Sequence, residues 1–468
     1  MSDDNIEKQM PLWYVMDEFG CAIRHSDEPN FRTVPFIYVP TGVSYTLLFP
    51  VKDVANGEEV TRDFVYGVTD ILLRKALLLP WKSSSFRDIE FQGVEVDEEY
   101  FIQGRLIDTL PTVSQQSNFL TDDCNHSLKI YSEYKYINEY LKLSNFEFVD
   151  DPESADILWF TSHFKDYKKL SLEAPHKFVN QFPFENVITV KDLLYYVCKR
   201  AGCNEIATNK LFGPSWLITS YNLKLELPQF ISYFQHCSDL QLDNYWICKP
   251  WNLARGLDTL ITNNLNCIIR QSTSGPKICQ KYITNPLLFY RDSIGKVKFD
   301  IRYIVLLKSV QPLRAYVYKN FFLRFANKPF DLSNLNDYEK HFTVMNYNND
   351  AKLCKMLCNE FVFQFCQQYP DNEWCVIENK ILLMIREILV AATSEDPPCG
   401  IGVSPQSRAL YGIDLILEET EHNGIVPRLL EVNWLPDCKR ACEYYPEFYN
   451  DVFSALFLNI NNGSMYEL

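Results

Sequence analysis

Long β-rich runs in the second half of the chain constrain the fold more than any other feature of the sequence. The run at residues 298–307 is rich in β-branched and aromatic side chains and is interrupted by regularly spaced charges. Successive side chains of a strand point to opposite faces, so Lys298, Asp300 and Arg302 are predicted to share one face. A similar run recurs at residues 428–434. The second half is therefore predicted to be an antiparallel-rich α+β region.

A polar interruption separates this region from a shorter one at the start of the chain. It covers residues 113–118 and 121–126, which are rich in Ser, Gln, Asn and Asp. We predict a domain boundary there, with an N-terminal module over residues 1–120 and a larger domain over residues 126–465. The module is predicted to be mostly β, because short β-rich runs alternate with turn residues such as an Asn-Gly pair. Its predicted strands are residues 35–39, 45–49 and 64–66.

The larger domain is predicted to open with an α/β lobe. The hydrophobic pattern there indicates a strand, a helix and two further strands, an order that is typical of an α/β layer. These elements are residues 128–131, 133–143, 146–149 and 155–160.

The overall composition excludes several classes of protein. At 468 residues with 47% hydrophobic content, the chain can bury a large core, so extensive disorder is not expected. A net charge of −15 argues against direct nucleic-acid binding, which needs clustered Lys and Arg against phosphates. No apolar run reaches the roughly 18 residues of a membrane span, and the opening residues are acidic and polar, unlike a signal peptide. We expect a soluble intracellular protein with no membrane partner.

The 15 cysteines are scattered without the CxxC pairs or His spacing of a zinc site. Two pairs, Cys354 with Cys358 and Cys438 with Cys442, have the i,i+4 spacing of helical neighbours. Ordinary packing of reduced thiols is favoured over a metal site at both pairs.

One stretch reverses the charge of the chain. Residues 249–328 contain fourteen Lys or Arg against three acids, which are Asp258, Asp292 and Asp300. A basic strip on an acidic protein indicates an anionic partner, for which a nucleoside triphosphate, an acidic peptide and RNA are the candidates. The alternative is a solvated basic face without a partner.

Charged side chains on the apolar strands are candidates for a functional site. The three on the strand at residues 298–307 must be solvated, paired or bound to a ligand, because unpaired buried charge is costly. An Asp–Arg surface pair is the simpler explanation. Asp414 lies within another apolar strand, and Glu431 and Asn433 share one face of a third. Carboxylate and amide oxygens suit Mg²⁺, which is usually held by one or two carboxylates plus phosphates.

Two upstream segments contain residues that suit a nucleotide. Lys249 ends a predicted strand, and a loop that contains Gly256 follows it. A lysine and a close backbone approach at glycine both suit phosphate oxygens. Residues 280–283 lie on another predicted strand, whose backbone could read an adenine edge while Lys281 reaches the nucleotide.

The order of these segments resembles that of the tubulin–tyrosine-ligase-like family. The shared order is Lys249-Pro with its loop, Gln280-Lys-Tyr-Ile, Lys298-Phe-Asp-Ile-Arg, Arg324, His341-x-Thr, Asp414 and Glu431-x-Asn. The resemblance covers roughly residues 128–458. It implies an ATP-grasp-like domain that joins an amino acid to a tubulin carboxylate, which ATP first converts to an acyl phosphate. It also implies that residues 1–120 are a shortened SET-like module.

The resemblance assigns a role to each matching position. Lys298, Asp300 and Arg302 would be the catalytic residues, and Asp414, Glu431 and Asn433 would hold Mg²⁺. ATP would be contacted by Lys191, Lys249, Gln280, Lys281, Tyr282, Ile283, Arg324, His341 and Thr343.

The resemblance also implies partners and a location. The acidic C-terminal tails of tubulin or microtubules would meet the basic strip, and a histone is a further candidate partner. The expected location is the cytoplasm with the cytoskeleton, with the nucleus as the alternative.

Two departures from the family pattern leave catalysis open. Asp258 stands where the family usually has a second loop glycine, and a carboxylate about 4 Å from a phosphate charge would cost roughly 4 kcal/mol. The family's His-Leu-Thr-Asn becomes a motif ending in Val344, with Asn346 as a substitute for the lost amide. The chain is therefore interpreted as an active ligase or as a pseudo-ligase that binds ATP and tubulin. A SET-type methyltransferase is disfavoured, because residues 1–120 contain no recognisable cofactor motif.

Overall fold

A computed structural model describes residues 18–112, 127–201, 213–251, 256–292, 294–343, 356–421 and 423–468. Its strands are β1 (Arg24–His25), β2 (Phe31–Tyr38), β3 (Val43–Pro50), β4 (Thr61–Arg62), β5 (Leu128–Ser132), β6 (Phe146–Phe148), β7 (Ile157–Trp159), β8 (Phe178–Val179), β9 (Ser220–Asn222), β10 (Trp246–Pro250), β11 (Leu260–Thr262), β12 (Lys277–Lys281), β13 (Leu288–Arg291), β14 (Gly295–Ser309), β15 (Arg314–Tyr318), β16 (Phe322–Phe325), β17 (Ala409–Thr420), β18 (Gly424–Trp434) and β19 (Met465–Glu467).

The helices alternate with these strands along the chain. They are Glu18–Ala22, Ile71–Leu78, Glu98–Ile102, Lys135–Tyr140, Tyr167–Glu173, Asn186–Thr189, Lys191–Lys199, Leu227–Asp239, Leu265–Gln271, Tyr338–His341, Cys358–Gln368, Trp374–Ala392, Lys439–Tyr444 and Phe448–Phe453, with a 3₁₀ turn at Pro152–Ser154 and a π-helical turn at Ser454–Leu458.

The described residues divide into two compact units. The first unit contains the described residues up to 93, together with 221–250 and 262–279. The second unit contains the described residues of 94–220, 251–261 and 280–468.

The first unit is built on a four-stranded sheet in the order β1-β4-β2-β3. The strands β2 and β3 form an antiparallel hairpin. Beside them, helix Ile71–Leu78 packs against helices Leu227–Asp239 and Leu265–Gln271. Another four-stranded sheet, in the order β11-β10-β12-β9, lies mainly in this unit.

The predicted strands at residues 35–39 and 45–49 are confirmed by β2 and β3, although β2 ends at Tyr38 and Val39 lies in the following turn. The predicted strand at 64–66 is wrong. Residues 64–67 form a turn. The Asp63 side chain accepts a hydrogen bond from the Val65 N–H at 3.0 Å, and the Phe64 N–H donates to the His25 ring at 3.3 Å. An Asp side chain that bonds the backbone two residues later stabilises a turn, so β-rich composition did not decide this segment.

After residues 94–112, the second unit continues with the predicted α/β lobe, which is confirmed. Its four parallel strands lie in the order β6-β5-β7-β8. The helix between β5 and β6 is shorter than the predicted 133–143. Its start is delayed because the Glu133 N–H donates to the carbonyl of Trp159 on β7, so that Glu133 is still bonded to the neighbouring strand.

The larger sheet of the second unit has seven strands, in which β14 is central. The main path is β18-β17-β14-β15-β19, and β13 and β16 also pair with β14. The pairings of β14, β15, β17, β18 and β19 in this path are antiparallel. The predicted α+β fold class is therefore confirmed.

Several predictions concern segments that the structure does not describe or does not decide. The predicted boundary, residues 113–126, lies outside the described residues, as does Cys354, so the division at 1–120 and 126–465 stays a prediction. Cys438 and Cys442 are buried in an apolar cluster. Within the described residues, no helix combines the length and the apolar character that a membrane crossing requires.

A fully buried carboxylate, Glu185, contacts the sheet at β17. Its Oε2 accepts hydrogen bonds from the Tyr411 hydroxyl at 2.6 Å and from the Phe182 N–H at 3.0 Å. Burial raises the pKa of Glu185 to about 7, despite these bonds and the nearby His163. The folded protein therefore keeps a proton on Glu185 at pH values where the unfolded chain has lost it.

This proton makes stability depend on pH. Between the ordinary pKa of 4.5 and the folded value of about 7, stability falls as pH rises, because the folded state binds more protons. At pH 8 the ionised carboxylate costs on the order of 3 kcal/mol. We expect Glu185→Gln to raise the melting temperature at pH 8 and to change it little at pH 5, as measured by scanning calorimetry. An equal shift at both pH values would contradict this assignment.

Candidate functional site

The strand β14 carries charged side chains on one face, as predicted. Antiparallel pairing places Arg324 of β16 opposite Asp300, and Asp414 of β17 opposite Arg302. Lys298 lies on the same face two residues earlier. The pairing therefore brings side chains from three strands together. The other face of β14 is buried and apolar at Phe299, Ile301 and Tyr303.

Two arginines and two aspartates form one connected ionic network. Arg302 donates from Nε and Nη2 to the two oxygens of Asp414, at 2.6 and 2.7 Å. Arg324 donates to both oxygens of Asp300, at 2.7 and 2.9 Å, and also to Asp414 Oδ2 at 2.7 Å. Paired N–H donors on a carboxylate are strong and fix the relative orientation of both groups. Because Asp300 and Asp414 are almost fully buried, the network is part of the protein interior.

The network shifts the pKa values of the two aspartates in opposite directions. Burial alone would raise the pKa of Asp414, but the charges of Arg324 and Arg302 outweigh it and hold the pKa at about 2. Burial raises the pKa of Asp300 above its usual value, because the charge of Asp414 opposes the help from Arg324. The Thr343 hydroxyl donates to Asp300 Oδ2. Asp414 is therefore the aspartate of the network that stays ionised. Asp300 is further held by its hydrogen bond from Thr343.

Lys298 begins a second chain of contacts on the same face. Its Nζ donates to the Tyr282 hydroxyl at 3.1 Å and lies 4.4 Å from the centroid of that ring. The Tyr282 oxygen is 2.8 Å from His341 Nδ1, and His341 Nε2 is 2.9 Å from the carbonyl oxygen of Asn334. Burial lowers the pKa of His341, which favours the neutral ring. The carbonyl partner assigns the proton to Nε2, so the Tyr282 hydroxyl donates to Nδ1.

The predicted metal ligands converge on β17 and β18. Asp414 pairs with Glu431 across these strands. The Asn433 amide nitrogen lies 3.2 Å from Asp414 Oδ2 and 3.4 Å from Glu431 Oε1. On its outer side, Glu431 Oε2 is 3.3 Å from Lys191 Nζ.

These donors fit Mg²⁺ by their chemistry, because it prefers carboxylate and amide oxygens and keeps positions for phosphate and water. Asn433 would have to present its oxygen instead of its nitrogen, and the two ends of an amide are distinguished only by their hydrogen bonds. In the part of the chain that the structure describes, no group of three or more His, Cys, Asp or Glu could hold a metal ion. A site here would therefore combine Glu431, the amide and Asp414 with ligands from a bound phosphate.

The segment predicted to surround adenine is placed residue by residue. Gln280 is mostly buried, and its Nε2 lies 3.2 Å from Ser220 Oγ. Lys281 is half-buried at the end of β12. Ile283 packs into a small apolar cluster with Ile416, so its side chain serves the core. The backbone of this segment remains the candidate for reading an adenine edge.

The predicted phosphate loop is described only at its ends. Lys249 lies on β10 in the first unit. Val344 and Asn346, which follow the His341-x-Thr motif, fall outside the described residues. Gly256 has φ +69°, and a Cβ there would lie 3.3 Å from the Tyr338 hydroxyl oxygen, so a larger residue would be crowded as well as strained.

Asp258 also has a left-handed backbone, with φ +51°. Glycine adopts this conformation without strain, whereas an aspartate tolerates it at a small cost. The position where the family pattern has glycine thus keeps a glycine-like conformation in this chain.

Sequence reasoning missed three residues near Lys191. The carboxylate of Asp192 accepts hydrogen bonds from Tyr100 and Arg105, which are separated from it by 92 and 87 positions. No local spacing signals such a contact. The available signal was an acid between a predicted phosphate-binding lysine and the apolar run at residues 193–198, because a carboxylate that is buried together with such a run needs a partner.

Comparison with known proteins identifies a family for nearly the whole chain. The chain matches the tubulin-tyrosine ligase family over residues 169–465, and the tubulin tyrosine ligase SET-like domain over residues 1–85. It is 48% identical over 457 residues to tubulin–tyrosine ligase-like protein 12 of Mus musculus, covering 97% of this chain and 70% of that protein.

More distant relatives extend the comparison. The protein of the same name from Caenorhabditis elegans is 42% identical over 470 residues, covering 98% of this chain and 70% of that protein. A probable tubulin polyglutamylase of Mus musculus is 27% identical over 326 residues, covering 66% of this chain and 56% of that protein. The resemblance predicted from motif order is confirmed.

Because the ionic network is buried, substitutions of two neighbouring carboxylates are predicted to lower stability by unequal amounts. Asp414→Asn leaves Arg302 and Arg324 without their shared anion, which should cost about 3–5 kcal/mol. Glu431 is 30% exposed and faces one lysine, so Glu431→Gln should cost no more than about 1 kcal/mol. Urea unfolding followed by tryptophan fluorescence measures both, and equal losses would show that the network is not a buried unit.

Proposed function

Because the chain belongs to the tubulin–tyrosine ligase family, we propose that it binds ATP with Mg²⁺ and acts in the modification of tubulin C-terminal tails. The first form of this proposal is an ATP-dependent ligase that adds an amino acid to a tail carboxylate. The observation that carries it is the set of basic and acidic side chains on adjacent strands, centred on Arg302 and Asp414. A distant relative is named as a probable tubulin polyglutamylase, which supports tubulin as the partner.

The chain's own residues can be given roles in this chemistry. ATP, when bound, supplies the phosphoryl group that activates a carboxylate for attack by an amine. Glu431, Asn433 and Asp414 would hold Mg²⁺, because their oxygens match its preference. Lys191 faces Glu431 and would contact a phosphate brought to that site.

Recognition of the acceptor falls to the cations on β14 and β16. Arg302 and Arg324 hold two N–H donors each toward the Asp300 and Asp414 carboxylates, the geometry that also suits an incoming carboxylate. Lys298 adds a positive charge on the same face, held by Tyr282. These groups would neutralise charge that develops on the reacting carboxylate.

The remaining contacts predicted from the family resemblance belong to the same proposal. Lys249 would bind phosphate, and residues 280–283 would surround the adenine ring. His341 contacts Tyr282, and Thr343 contacts Asp300, so they would shape the site more than touch the sugar. The same proposal includes the domain division at residues 1–120 and 126–465. It also includes a cytoplasmic location with the cytoskeleton, and a histone as a further partner.

A second form of the proposal is a pseudo-ligase that binds ATP and tubulin and modulates tubulin modification without turnover. It is favoured by Asp258, whose carboxylate stands at a left-handed loop position after Gly256. Near a nucleotide, an acid about 4 Å from a phosphate charge would cost roughly 4 kcal/mol. Asp258→Gly removes the charge and suits the backbone, so it tests this cost.

Calorimetry with ATP and Mg²⁺ tests nucleotide binding. We expect Mg²⁺-dependent binding to the wild type and at least about a tenfold loss in Glu431→Gln, equivalent to about 1.4 kcal/mol. Glu173→Gln, the same substitution at an exposed surface pair, is the matched control and should bind as the wild type does. Binding that is unchanged by Glu431→Gln would remove the proposed metal site.

Incorporation of labelled amino acids into tubulin tests the ligase form. Purified tubulin, ATP and labelled glutamate, glycine or tyrosine should give ATP-dependent product with the wild type and none with Glu431→Gln. No product from the wild type, with stronger ATP binding in Asp258→Gly, would select the pseudo-ligase form. No product and no ATP binding in either protein would contradict both forms.

A further inference from the structure

A segment of residues 97–112, named the strap here, runs along the second unit. Its helix Glu98–Ile102 begins at Asp97, whose carboxylate accepts the Tyr100 N–H at 3.1 Å. Phe101 is 2% exposed, and the Arg200 guanidinium carbon lies 5.5 Å from its ring centroid. The strap is therefore packed against the unit rather than loosely attached to it.

The later part of the strap is held by polar contacts. Asp108 Oδ2 accepts the Phe184 N–H at 2.7 Å, and Asp108 Oδ1 is 2.7 Å from His163 Nε2. The Thr109 N–H donates to the Lys165 carbonyl at 2.9 Å. Anchors at both ends fix the residues between them.

The middle of the strap contacts one buried carboxylate, that of Asp192. The Tyr100 hydroxyl and the Arg105 Nη2 both donate to Asp192 Oδ2, each at 2.6 Å. The Arg105 and Asp192 side chains are 8% and 2% exposed. Arg105 also donates to the Tyr100 carbonyl, which ties the two donors to each other.

Asp192 is the second residue of the helix that begins with Lys191. The residue before this helix, Val190, provides no side-chain hydrogen bond to cap it. Side-chain contacts made by residues of the first turn can therefore contribute to holding the start of this helix. The contacts of Asp192 with the strap hold this turn instead. The helical backbone fixes the angle between the Cα–Cβ bonds of successive residues, so a strap that holds Asp192 also holds the backbone from which the Lys191 side chain extends.

Lys191 points toward the candidate metal site. Its Nζ lies 3.3 Å from Glu431 Oε2. Arg105 has a second contact, because its guanidinium carbon lies 5.1 Å from the ring centroid of Trp251, the residue just before the predicted phosphate loop. One strap arginine thus contacts both the helix of the phosphate-binding lysine and the start of that loop.

The Arg105–Asp192 pair has little tolerance for change. Arg105 Nε and Asp192 Oδ1 are buried and have no hydrogen-bond partner within the described chain. If Arg105 loses its charge, the carboxylate is left buried without a cation, which is costly. The helix would then shift to expose Asp192, and Lys191 would move with it.

We propose that Arg105 and Tyr100 are positioning residues that hold Lys191 in place for a nucleotide phosphate, through Asp192. The inference rests on the proposed function, because it assigns Lys191 to a phosphate. The ligand class is a nucleoside triphosphate. Binding of its phosphates depends on the strap, whereas binding of its base does not.

The test compares ATP with adenosine on the full chain by calorimetry with Mg²⁺. Arg105→Gln should weaken ATP binding at least about tenfold and change adenosine binding by less than about twofold. Arg105→Lys keeps a cation for Asp192 and should recover part of the ATP affinity. In a Lys191→Met background, Arg105→Gln should have no further effect, because residues that act through each other are not additive.

Hydrogen exchange of residues 190–199 supplies a readout that needs no ligand. Arg105→Gln should speed exchange there, and Tyr100→Phe, which removes one hydrogen bond and keeps the ion pair, should do so more weakly. If Arg105→Gln does not fold, Tyr100→Phe carries the test, with an expected loss of ATP affinity of about fivefold. Arg74→Gln, which breaks a comparable ion pair with Asp63 in the first unit, is the control and should leave this exchange unchanged.

The outcomes separate the two proposals. Faster exchange with unchanged ATP affinity would overturn the positioning role and leave the proposed function standing. Equal losses of ATP and adenosine affinity would show a general structural effect and would also overturn it. Absence of ATP binding in the wild type would overturn both proposals.

Discussion

The network of Arg302, Asp414, Arg324 and Asp300 is the interaction on which the second unit depends. It joins three adjacent strands, β16, β14 and β17, through side chains on one face. A slip of one residue in any of these pairings would turn the charges to the opposite, apolar face. The charges of the slipped strand would then face the apolar side, and their partners would be left buried without counter-charges, which is far costlier than losing a few apolar contacts. The same side chains that form the candidate site therefore also specify the register of the sheet.

This network changes the meaning of the basic strip. The charge count of residues 249–328 predicted an anionic partner, since an uncompensated strip of cations is unfavourable. In the structure, Arg302 and Arg324 are neutralised by carboxylates of the same chain, and Lys298 is held by Tyr282. Part of the strip is thus interior and already paired. An anion that enters this site must compete with Asp300 and Asp414, so recognition depends on exchange of partners as well as on net charge.

The sequence allowed prediction of features that follow from a local periodic pattern, but not of contacts between residues that are distant along the chain. The alternation on β14 followed from the two-residue period of a strand, and the α/β lobe followed from its hydrophobic pattern. The pairing of Arg324 with Asp300 needed the register of β16, which no spacing gives. The strand predicted at 64–66 failed because the Asp63 side chain bonds the backbone of Val65. The strap contacts join residues about ninety positions apart, beyond any local pattern.

The burial of each candidate metal ligand decides what a substitution at that position can show. Asp414 binds two arginines in the interior, so its removal changes both the sheet and any bound cation. Loss of activity on changing Asp414 would not distinguish these causes. Glu431 is partly exposed and faces Lys191, so its carboxylate can exchange partners without disturbing the core. The site thus combines a rigid inner layer of two arginines and two aspartates with a partly exposed outer layer of Glu431 and Lys191. Chemistry that requires Mg²⁺ would act through the outer layer, and the strap reaches that layer through Lys191.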